Sequence, residues 1–294
     1  MSGDRTKFKY ECKLIYGLHP EGILEIKFHD AKKRNSFFEK TMRRLGEILD
    51  EATIDDRIKC VVLHGGEVFS AGNDLEAFQI GRTDTENVYK FATTVLKSGL
   101  YKMLTSLANF EKPLIAVVRG FAIGLGFTML SYADFVYCTP EAKFFTPFMQ
   151  SFQSPEGGST FHFPTLFGPR KAKEILLLDI PLSAADAQRA GFVNQVLPQL
   201  PRGQDYIDLL KLPCMPKLLQ NEVSTMRNAK RLLNQGINQD LLLAQIEREN
   251  NALRDIWLDE RFPDKMMAYL LSINQLSKKK KGADDQKKLE RPKL

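Results

Sequence analysis

Short apolar runs alternate along this chain with segments of helical periodicity, and that alternation limits the folds it can adopt. Three of the runs are rich in β-branched residues: IKCVVLHGG (58–66), PLIAVVRG (113–120) and DFVYCT (134–139). Runs of this length, bounded by turn residues, are typical of strands that are buried on both faces. Between them, apolar residues at helical spacing, such as Met42, Leu45 and Leu49, indicate covering helices. Strands that alternate with helices predict an α/β fold with a largely parallel sheet.

Composition and pattern divide the chain into three regions. Strand and helix patterns alternate over residues 1–200, residues 201–276 are helical in pattern, and residues 277–294 form a basic tail. The tail has eight Lys or Arg and three Asp or Glu, so it carries most of the chain's net charge of +6. A run such as KKKK is usually solvated and disordered. We therefore expect an α/β core with a separate helical appendage, and no nucleic-acid partner.

Composition also argues against several classes of protein. Hydrophobic residues make up 43% of the chain, but no apolar run approaches the roughly 20 residues of a membrane-spanning helix. The first residues, MSGDRTKFKYECK, lack the apolar core of a secretory signal. The four cysteines are scattered, which fits reduced thiols and argues against a zinc site. We expect neither a membrane span nor a bound metal.

Two glycine-containing loops each connect a predicted strand to a predicted helix. The first lies in FSAGNDLEAF (69–78) and the second in RGFAIGLGFTML (119–130). A helix that begins after such a turn presents backbone N–H groups that stabilise negative charge, and two facing turns can form an oxyanion hole. Neither loop has the spacing of a dinucleotide-binding G-x-G-x-x-G motif or of a P-loop. From these residues alone, tight turns at strand ends are the favoured interpretation.

One carboxylate lies in an apolar stretch, SFQSPEGGSTFHFP (151–164). Glu156 follows a proline and precedes two glycines, with aromatic residues on both sides. A carboxylate in apolar surroundings is costly unless it is paired, or unless its pKa rises until it is partly neutral. Such a group is a candidate proton carrier near neutral pH. The alternative is a solvated residue in a turn set by Pro155 and Gly157, and the stretch by itself favours that alternative.

Four motifs taken together resemble the crotonase (enoyl-CoA hydratase/isomerase) superfamily. They are FSAGNDL, KPLIAVVRGFAIGLGFTMLSYADFVYCT, AKFFTPF and a segment that begins SPEGGSTFHFP and ends FVNQVLP. The resemblance extends from about residue 8 to residue 275. It implies an α/β fold built as a crotonase-like spiral of ββα units, with a helical C-terminal region used for trimerisation. A homotrimer or a dimer of trimers is therefore expected.

The resemblance implies fatty acyl-CoA substrates, with no metal or redox cofactor, because CoA arrives as part of the substrate. Transferred by position, the backbone N–H groups of Asn73 and Leu125 hold the thioester oxygen, and both residues are expected to be catalytic. A basic loop at Lys33 is expected to meet the phosphates of CoA, with a solvated loop as the alternative. The expected substrate-binding residues are Ala71, Gly72, Asn73, Asp74, Leu75, Lys33, Gly124 and Phe148.

Three side chains decide which reaction the resemblance implies. Hydratases of the superfamily use two glutamates, at the positions of Thr128 and Phe148 here, so both acids are missing. Hydration needs one group to activate water and another to deliver a proton, which argues against a hydratase. Glu156 matches the catalytic acid in the SPEG motif of peroxisome-type Δ3,Δ2-enoyl-CoA isomerases. The implied enzyme is an isomerase of fatty acid β-oxidation in which one catalytic glutamate moves a proton from C2 to C4.

Two other functions stay open. One is another crotonase activity, such as an enoyl-CoA hydratase with displaced acids, and the other is a non-catalytic acyl-CoA-binding protein with this fold. The intact Glu156 favours an enzyme. The final residues, Pro-Lys-Leu, resemble the C-terminal Ser-Lys-Leu class of peroxisomal address. We therefore expect recognition by a peroxisomal import receptor, with a mitochondrial or cytosolic location as the alternatives.

Overall fold

Two β-sheets joined by helices form the body of the protein. The computed structural model describes residues 8–74, 85–201, 203, 207–235, 238–273 and 275. In chain order the strands are β1 (Lys9–Glu11), β2 (Leu14–Leu18), β3 (Ile23–Phe28), β4 (Cys60–His64), β5 (Leu114–Val118), β6 (Phe121–Ile123), β7 (Phe135–Cys138), β8 (Lys143–Phe145), β9 (Leu182–Ser183) and β10 (Gln195–Val196). Within these residues, seven strands form the larger sheet in the order β1-β2-β3-β4-β5-β7-β10, and three form the smaller sheet in the order β6-β8-β9.

The larger sheet is mostly parallel, as the alternation of strands and helices predicts. β1, β2 and β3 pair antiparallel, and β3, β4, β5, β7 and β10 then run parallel. Every residue of β4 and β5 is buried, so the apolar runs at 58–66 and 113–120 contain strands covered on both faces. Cys12 and Lys13 connect β1 to β2 with φ angles of 49° and 65°, which fit a two-residue hairpin turn.

Helices cover the sheets and connect the strands. They are α1 (Glu39–Ile54), α2 (Thr85–Thr94), α3 (Lys102–Ala108), α4 (Leu125–Thr128), α5 (Ser159–Phe167), α6 (Pro169–Leu177), α7 (Ala184–Arg189), α8 (Met215–Gln220), α9 (Val223–Gln235) and α10 (Gln239–Leu258). A π-helical segment, Val95–Tyr101, joins α2 to α3, and 3₁₀ segments lie at Ala31–Lys33, Met129–Tyr132 and Leu209–Lys211. The chain is also helical over 262–273. Among the described residues, none of the helices has both the length and the apolar character needed to cross a bilayer.

The chain passes repeatedly between the two sheets. β5 of the larger sheet leads directly into β6 of the smaller one, and β7 and β8 repeat that step. β6 and β8 pair in parallel, with Ala122 opposite Phe144. Helices α4 and α5 follow β6 and β8, so two strands and a helix form a repeated unit. This arrangement confirms the predicted α/β spiral of ββα units.

Helix α10 belongs to the main core. The sequence predicts residues 201–276 as a separate appendage, but Leu242, Ile246, Leu253 and Trp257 of α10 are buried in the same hydrophobic cluster as the strands and α1. The helix also contacts α2 and α5. The prediction of a separate unit is therefore wrong for α10, because the apolar face of this helix packs on the core. The boundaries of the three predicted regions stay predictions.

Candidate active site

The two glycine turns lie side by side. Ser70 N donates to Phe121 O at 3.2 Å, and Ile123 N donates to Ser70 O at 2.9 Å, so the chain before the first turn pairs with β6. Gly72 has a φ of +82°, and a Cβ at this position would lie 2.6 Å from Ile123 O. Glycine is the residue that combines this backbone angle with so close an approach. The glycine of the first turn therefore serves to bring the two turns into contact.

The backbone N–H groups of Asn73 and Leu125 belong to the two adjoining turns. Phe37 N donates to Gly72 O at 2.7 Å and Asp74 N donates to Phe37 O at 3.0 Å, so the N–H of Asn73 points away from Phe37. Leu125 is the first residue of α4, where an N–H has no partner within the helix. Among the hydrogen bonds of the described residues, neither N–H donates to another group of the protein. Two such donors are what an oxyanion hole requires.

Backbone hydrogen bonds hold the second turn against the smaller sheet. Gly124 N donates to Phe145 O of β8 at 2.8 Å, and Gly124 O accepts from Phe127 N at 2.9 Å and from Thr128 N at 3.0 Å. The φ of Gly124 is +52°, which glycine adopts without strain. The turn before Leu125 is therefore fixed by backbone contacts rather than by particular side chains.

The structure places the lone carboxylate of the SPEGG stretch at the first glycine turn. Glu156 is only 4% exposed, which excludes the alternative of a solvated turn residue. The side-chain amide of Asn73 donates to both of its oxygens, at 3.0 Å to Oε1 and 2.9 Å to Oε2. The two residues are 83 positions apart, so no local pattern predicts this contact. The sequence predicts a catalytic role only for the backbone N–H of Asn73. Asn73 thus presents two groups here, a backbone N–H and the amide that holds Glu156.

The surroundings of Glu156 increase its affinity for a proton. Burial is the largest cause and raises the pKa of Glu156 to about 8; the Asn73 amide opposes this increase, and the negative charge of Glu249 adds to it. A carboxyl group with such a pKa takes up and releases a proton readily near neutral pH, as acid–base catalysis needs. The environment of Glu156 therefore fits the role of a proton carrier.

The two positions where hydratases of the superfamily carry acids hold uncharged, buried side chains. Thr128, in α4, is fully buried, and a Cβ at Gly157 would collide with its hydroxyl. Phe148 is also buried, and its carbonyl accepts from Gln153 N in the loop that leads to Glu156. Thr128 therefore packs against the turn of Glu156, and neither Thr128 nor Phe148 can act as a general base toward water.

A cavity of about 500 Å³ lies beside the first turn. Asn73 and Asp74 line it together with apolar side chains that include Phe37, Phe38 and Met42. A cavity lined mostly by apolar surface with some polar groups is typical of a small-molecule site. Asn73, whose amide binds Glu156, connects the lining of the cavity to the buried carboxylate.

The basic loop predicted to meet CoA lies next to the first turn. Lys33 Nζ is 3.7 Å from Asp74 Oδ2, and Ala71 N donates to Arg34 O at 3.0 Å. The structure thus brings Lys33, Ala71, Gly72, Asn73 and Asp74 together, and it places Gly124 in the adjoining turn. Contact of Lys33 with phosphates stays a prediction. The predicted substrate-binding residue Leu75 lies outside the described residues.

Residues 19–271 match the protein family described as enoyl-CoA hydratase/isomerase. The chain belongs to this family. An enoyl-CoA hydratase/isomerase from Pseudoalteromonas atlantica T6c is 26% identical, with a TM-score of 0.75, over 88% of this chain and 97% of that one. An enoyl-CoA hydratase from Bacillus halodurans, 21% identical with a TM-score of 0.75, matches in fold over 90% of this chain and 99% of its own. These similarities confirm the predicted crotonase fold.

Curated relatives of this family member include proteins named as isomerases. The chain is 32% identical over 260 residues to enoyl-CoA delta isomerase 2 of Rattus norvegicus, which is 88% of this chain and 64% of the relative. It is 33% identical over 189 residues to the peroxisomal enoyl-CoA delta isomerase 3 of Mus musculus, which is 64% of this chain and 58% of the relative. A chromodomain Y-like protein of Rattus norvegicus is 31% identical over 270 residues, 90% of this chain and 44% of that protein. The chain thus spans less than two thirds of the length of these relatives.

Proposed function

We propose that this chain is a Δ3,Δ2-enoyl-CoA isomerase that converts cis or trans 3-enoyl-CoA to 2-trans-enoyl-CoA in fatty acid β-oxidation. The observation that carries the proposal is Glu156, a buried carboxyl group held by Asn73, which itself lines an apolar cavity. The relatives named enoyl-CoA delta isomerase support it. The uncharged side chains of Thr128 and Phe148 argue against hydration as the main reaction.

In the proposed reaction, Glu156 removes a proton from C2 of the 3-enoyl thioester. The electron pair spreads over the thioester carbonyl and the C3–C4 double bond, and the N–H groups of Asn73 and Leu125 stabilise the oxygen of this dienolate. The same carboxyl group then returns the proton to C4, which leaves the double bond between C2 and C3. One carboxyl group is sufficient because the proton leaves and returns on the same face of the substrate.

Burial of Glu156 serves this chemistry by keeping water away. Water at the site would exchange the transferred proton or add to the conjugated product. The Asn73 amide donates to both carboxylate oxygens and so fixes the plane of the carboxyl group. A carboxyl group held in this way can reach C2 and C4 in turn without a second acid.

The proposal extends to ligands, assembly and location. CoA is bound as part of the substrate, the reaction uses no metal or redox cofactor, and Lys33 meets the CoA phosphates beside the first turn. The protein assembles as a homotrimer or a dimer of trimers. A peroxisomal location, through an import receptor that reads the C-terminus, is supported by the peroxisomal relative of Mus musculus. Residues 276–294 lie outside the described residues, and a mitochondrial or cytosolic location is the alternative.

An assay of the purified chain with 3-hexenoyl-CoA and 2-hexenoyl-CoA in parallel tests the proposed activity. We expect rapid conversion of the 3-enoyl thioester and slow hydration of the 2-enoyl thioester. Hydration that is faster than isomerisation would assign a hydratase instead. Binding of both thioesters without turnover would assign a non-catalytic acyl-CoA-binding protein.

A further inference from the structure

A second buried carboxylate lies next to the turn of Glu156. Glu249, on α10, is 4% exposed. It accepts hydrogen bonds from Gly158 N at 2.7 Å, from Thr160 N at 2.8 Å and from Thr160 Oγ1 at 2.5 Å. Gln245, one turn earlier on α10, donates to the Thr160 hydroxyl at 2.9 Å. Every partner of Glu249 in this set is a donor, which suits an ionised carboxylate.

The backbone donors to Glu249 are at the N-terminal end of α5, which begins three residues after Glu156. The first N–H groups of a helix have no partner within it, and a negative charge there is stabilised. The N-cap residue of α5 is Gly158, which has no side chain that could supply a cap. Glu249 therefore caps α5 from a different helix, at a separation of 91 residues from Gly158.

The backbone between Glu156 and α5 depends on restraint from outside. Gly157 and Gly158 have φ angles of +76° and +74°, and consecutive glycines form the most flexible connection available to a chain. On one side, the hydroxyls of Thr128 and Tyr132 lie where side chains on these two glycines would collide with them. On the other side, the α10 carboxylate supplies hydrogen bonds. The turn that carries the proton carrier is thus clamped between two parts of the core.

Glu249 also acts on Glu156 through its charge. Burial raises the pKa of Glu249 to about 7, although the hydrogen bonds from α5 lower it. The group is therefore ionised above neutral pH. Its charge contributes to the raised pKa of Glu156. Two titratable side chains beside this turn are uncharged, because burial lowers the pKa of His162 to about 4 and raises the pKa of Tyr132 well above its usual value.

We propose that Glu249 is a positioning residue of the isomerase reaction proposed above, on which this inference rests. Its carboxylate fixes the backbone of residues 157–160 and so holds the carboxyl group of Glu156 where it meets Asn73 and the substrate. A misplacement of about 1 Å can cost about 10²-fold in rate, so a small movement of this turn is sufficient to slow turnover. Helix α10 thereby supports the chemistry without touching the substrate.

Glu249→Gln tests the proposal, with Glu25→Gln as the matched control. Glutamine has nearly the same shape, but its NH₂ group faces donors of α5, so at least one hydrogen bond is lost. Glu25, on β3, is a partly buried glutamate that contacts His19 at 2.7 Å and His64 at 2.8 Å. We expect kcat to fall by about 10–100-fold in Glu249→Gln with KM nearly unchanged, and to stay near wild type in Glu25→Gln.

The pH profile separates positioning from a general loss of stability. Removal of the charge of Glu249 lowers the pKa of Glu156, so the acid limb of kcat/KM should move to lower pH in Glu249→Gln. Glu249→Asp keeps the charge but is one methylene shorter, so we expect a reduced kcat with an acid limb close to wild type. The ion pair of Lys33 and Asp74, at 3.7 Å, is unchanged in all of these variants, so it does not contribute to differences between their pH profiles. A purely stabilising role would change neither kcat per folded molecule nor the acid limb.

Hydrogen exchange of backbone amides gives a readout that does not require isomerase activity. We expect faster exchange over residues 157–160 in Glu249→Gln than in wild type or Glu25→Gln. If wild type has no isomerase activity, the proposed function fails, while faster exchange still supports the role of Glu249 in fixing the turn. If Glu249→Gln does not fold, Glu249→Asp provides the same measurements. A folded variant with the kcat, pH profile and exchange of wild type would overturn the inference.

Discussion

The two glycine turns and the turn of Glu156 are held in place in different ways. Backbone hydrogen bonds between adjacent segments, as from Ile123 N to Ser70 O, hold the glycine turns, and the Ser70 hydroxyl adds two contacts in the first turn by accepting from Gly72 N and donating to Asn35 O. Side chains from distant parts of the chain fix the Glu156 turn, through the amide of Asn73 and the carboxylate of Glu249. A turn held mainly by its backbone tolerates most changes of side chain, whereas a turn held mainly by distant side chains depends on each of them. The two regions should therefore respond differently to substitution.

Replacing Glu156, the proposed proton carrier, should give the largest difference in activity between changes in the two regions. Glu156→Gln keeps an oxygen that can accept from Asn73 and leaves both glycine turns unchanged, but it cannot take up a proton. We expect isomerisation to fall by at least about 10²–10⁴-fold, the usual contribution of acid–base catalysis. Acyl-CoA binding, measured by calorimetry, should stay close to wild type. Near-wild-type turnover in the folded variant would remove Glu156 from the mechanism.

Deleting one backbone donor is the corresponding test of the glycine turns. Leu125 is the first residue of α4, a position where proline is tolerated in a helix. Leu125→Pro therefore removes the N–H but is compatible with the helix. Loss of one such donor should reduce turnover by about 10²–10³-fold.

Leu125→Ala is the matched control, because it removes the buried side chain but keeps the N–H. It should retain far more activity than the proline variant, with the folding of both checked by circular dichroism. Equal losses in the two folded variants would show that the side chain matters and that the N–H does not.

Asn73 takes part in both regions, so its side chain can be tested apart from its backbone. Asn73→Ala keeps the N–H but removes the amide that lowers the pKa of Glu156, so that pKa should rise further. Glu156 must be ionised to accept a proton, and the acid limb of kcat/KM should therefore move to higher pH. At pH 7 we expect a loss of at least about tenfold, because both hydrogen bonds from the amide to the charged group are removed. An acid limb at the wild-type position would contradict this role of the amide.

A further difference concerns stability, which is measured as an unfolding temperature and not as turnover. Folding raises the pKa of Glu156 from its ordinary 4.5 to about 8, so this group favours the folded state at low pH and loses that contribution as pH rises through about 8. Glu156→Gln has no such group. The difference in unfolding temperature, variant minus wild type, should therefore be larger at pH 9 than at pH 5. Leu125→Ala should show no comparable trend. Thermal denaturation at both pH values checks this, and a difference independent of pH would contradict it.

The sequence predicted the parts of the molecule whose contacts are local. The buried strands β4 and β5 each depend on apolar residues within a few positions of one another. The contacts that fix Glu156 come from Asn73, 83 positions away, and from Glu249 through the following turn, so no local pattern signals them. Glu249 stands in the polar sequence QIEREN, which is typical of a solvated helix face.

The role of α10 was missed for a related reason. Leu242, Ile246, Leu253 and Trp257 lie at helical spacing, and all four are buried. Helical periodicity shows that an apolar face needs a partner, but it does not show which part of the chain supplies it. The core of the α/β region supplies it here, which brings Glu249 to the turn of Glu156.

The central claim is that one buried carboxyl group carries the proton from C2 to C4. Turnover of a 3-enoyl-CoA labelled with deuterium at C2, in ordinary water, tests it most directly. Glu156 is 4% exposed, so exchange of its proton with solvent should be slow, and we expect much of the label at C4 of the product by mass spectrometry and NMR. A product from wild type with no deuterium at C4 would mean that the proton passes through solvent or through separate groups, and it would contradict the account.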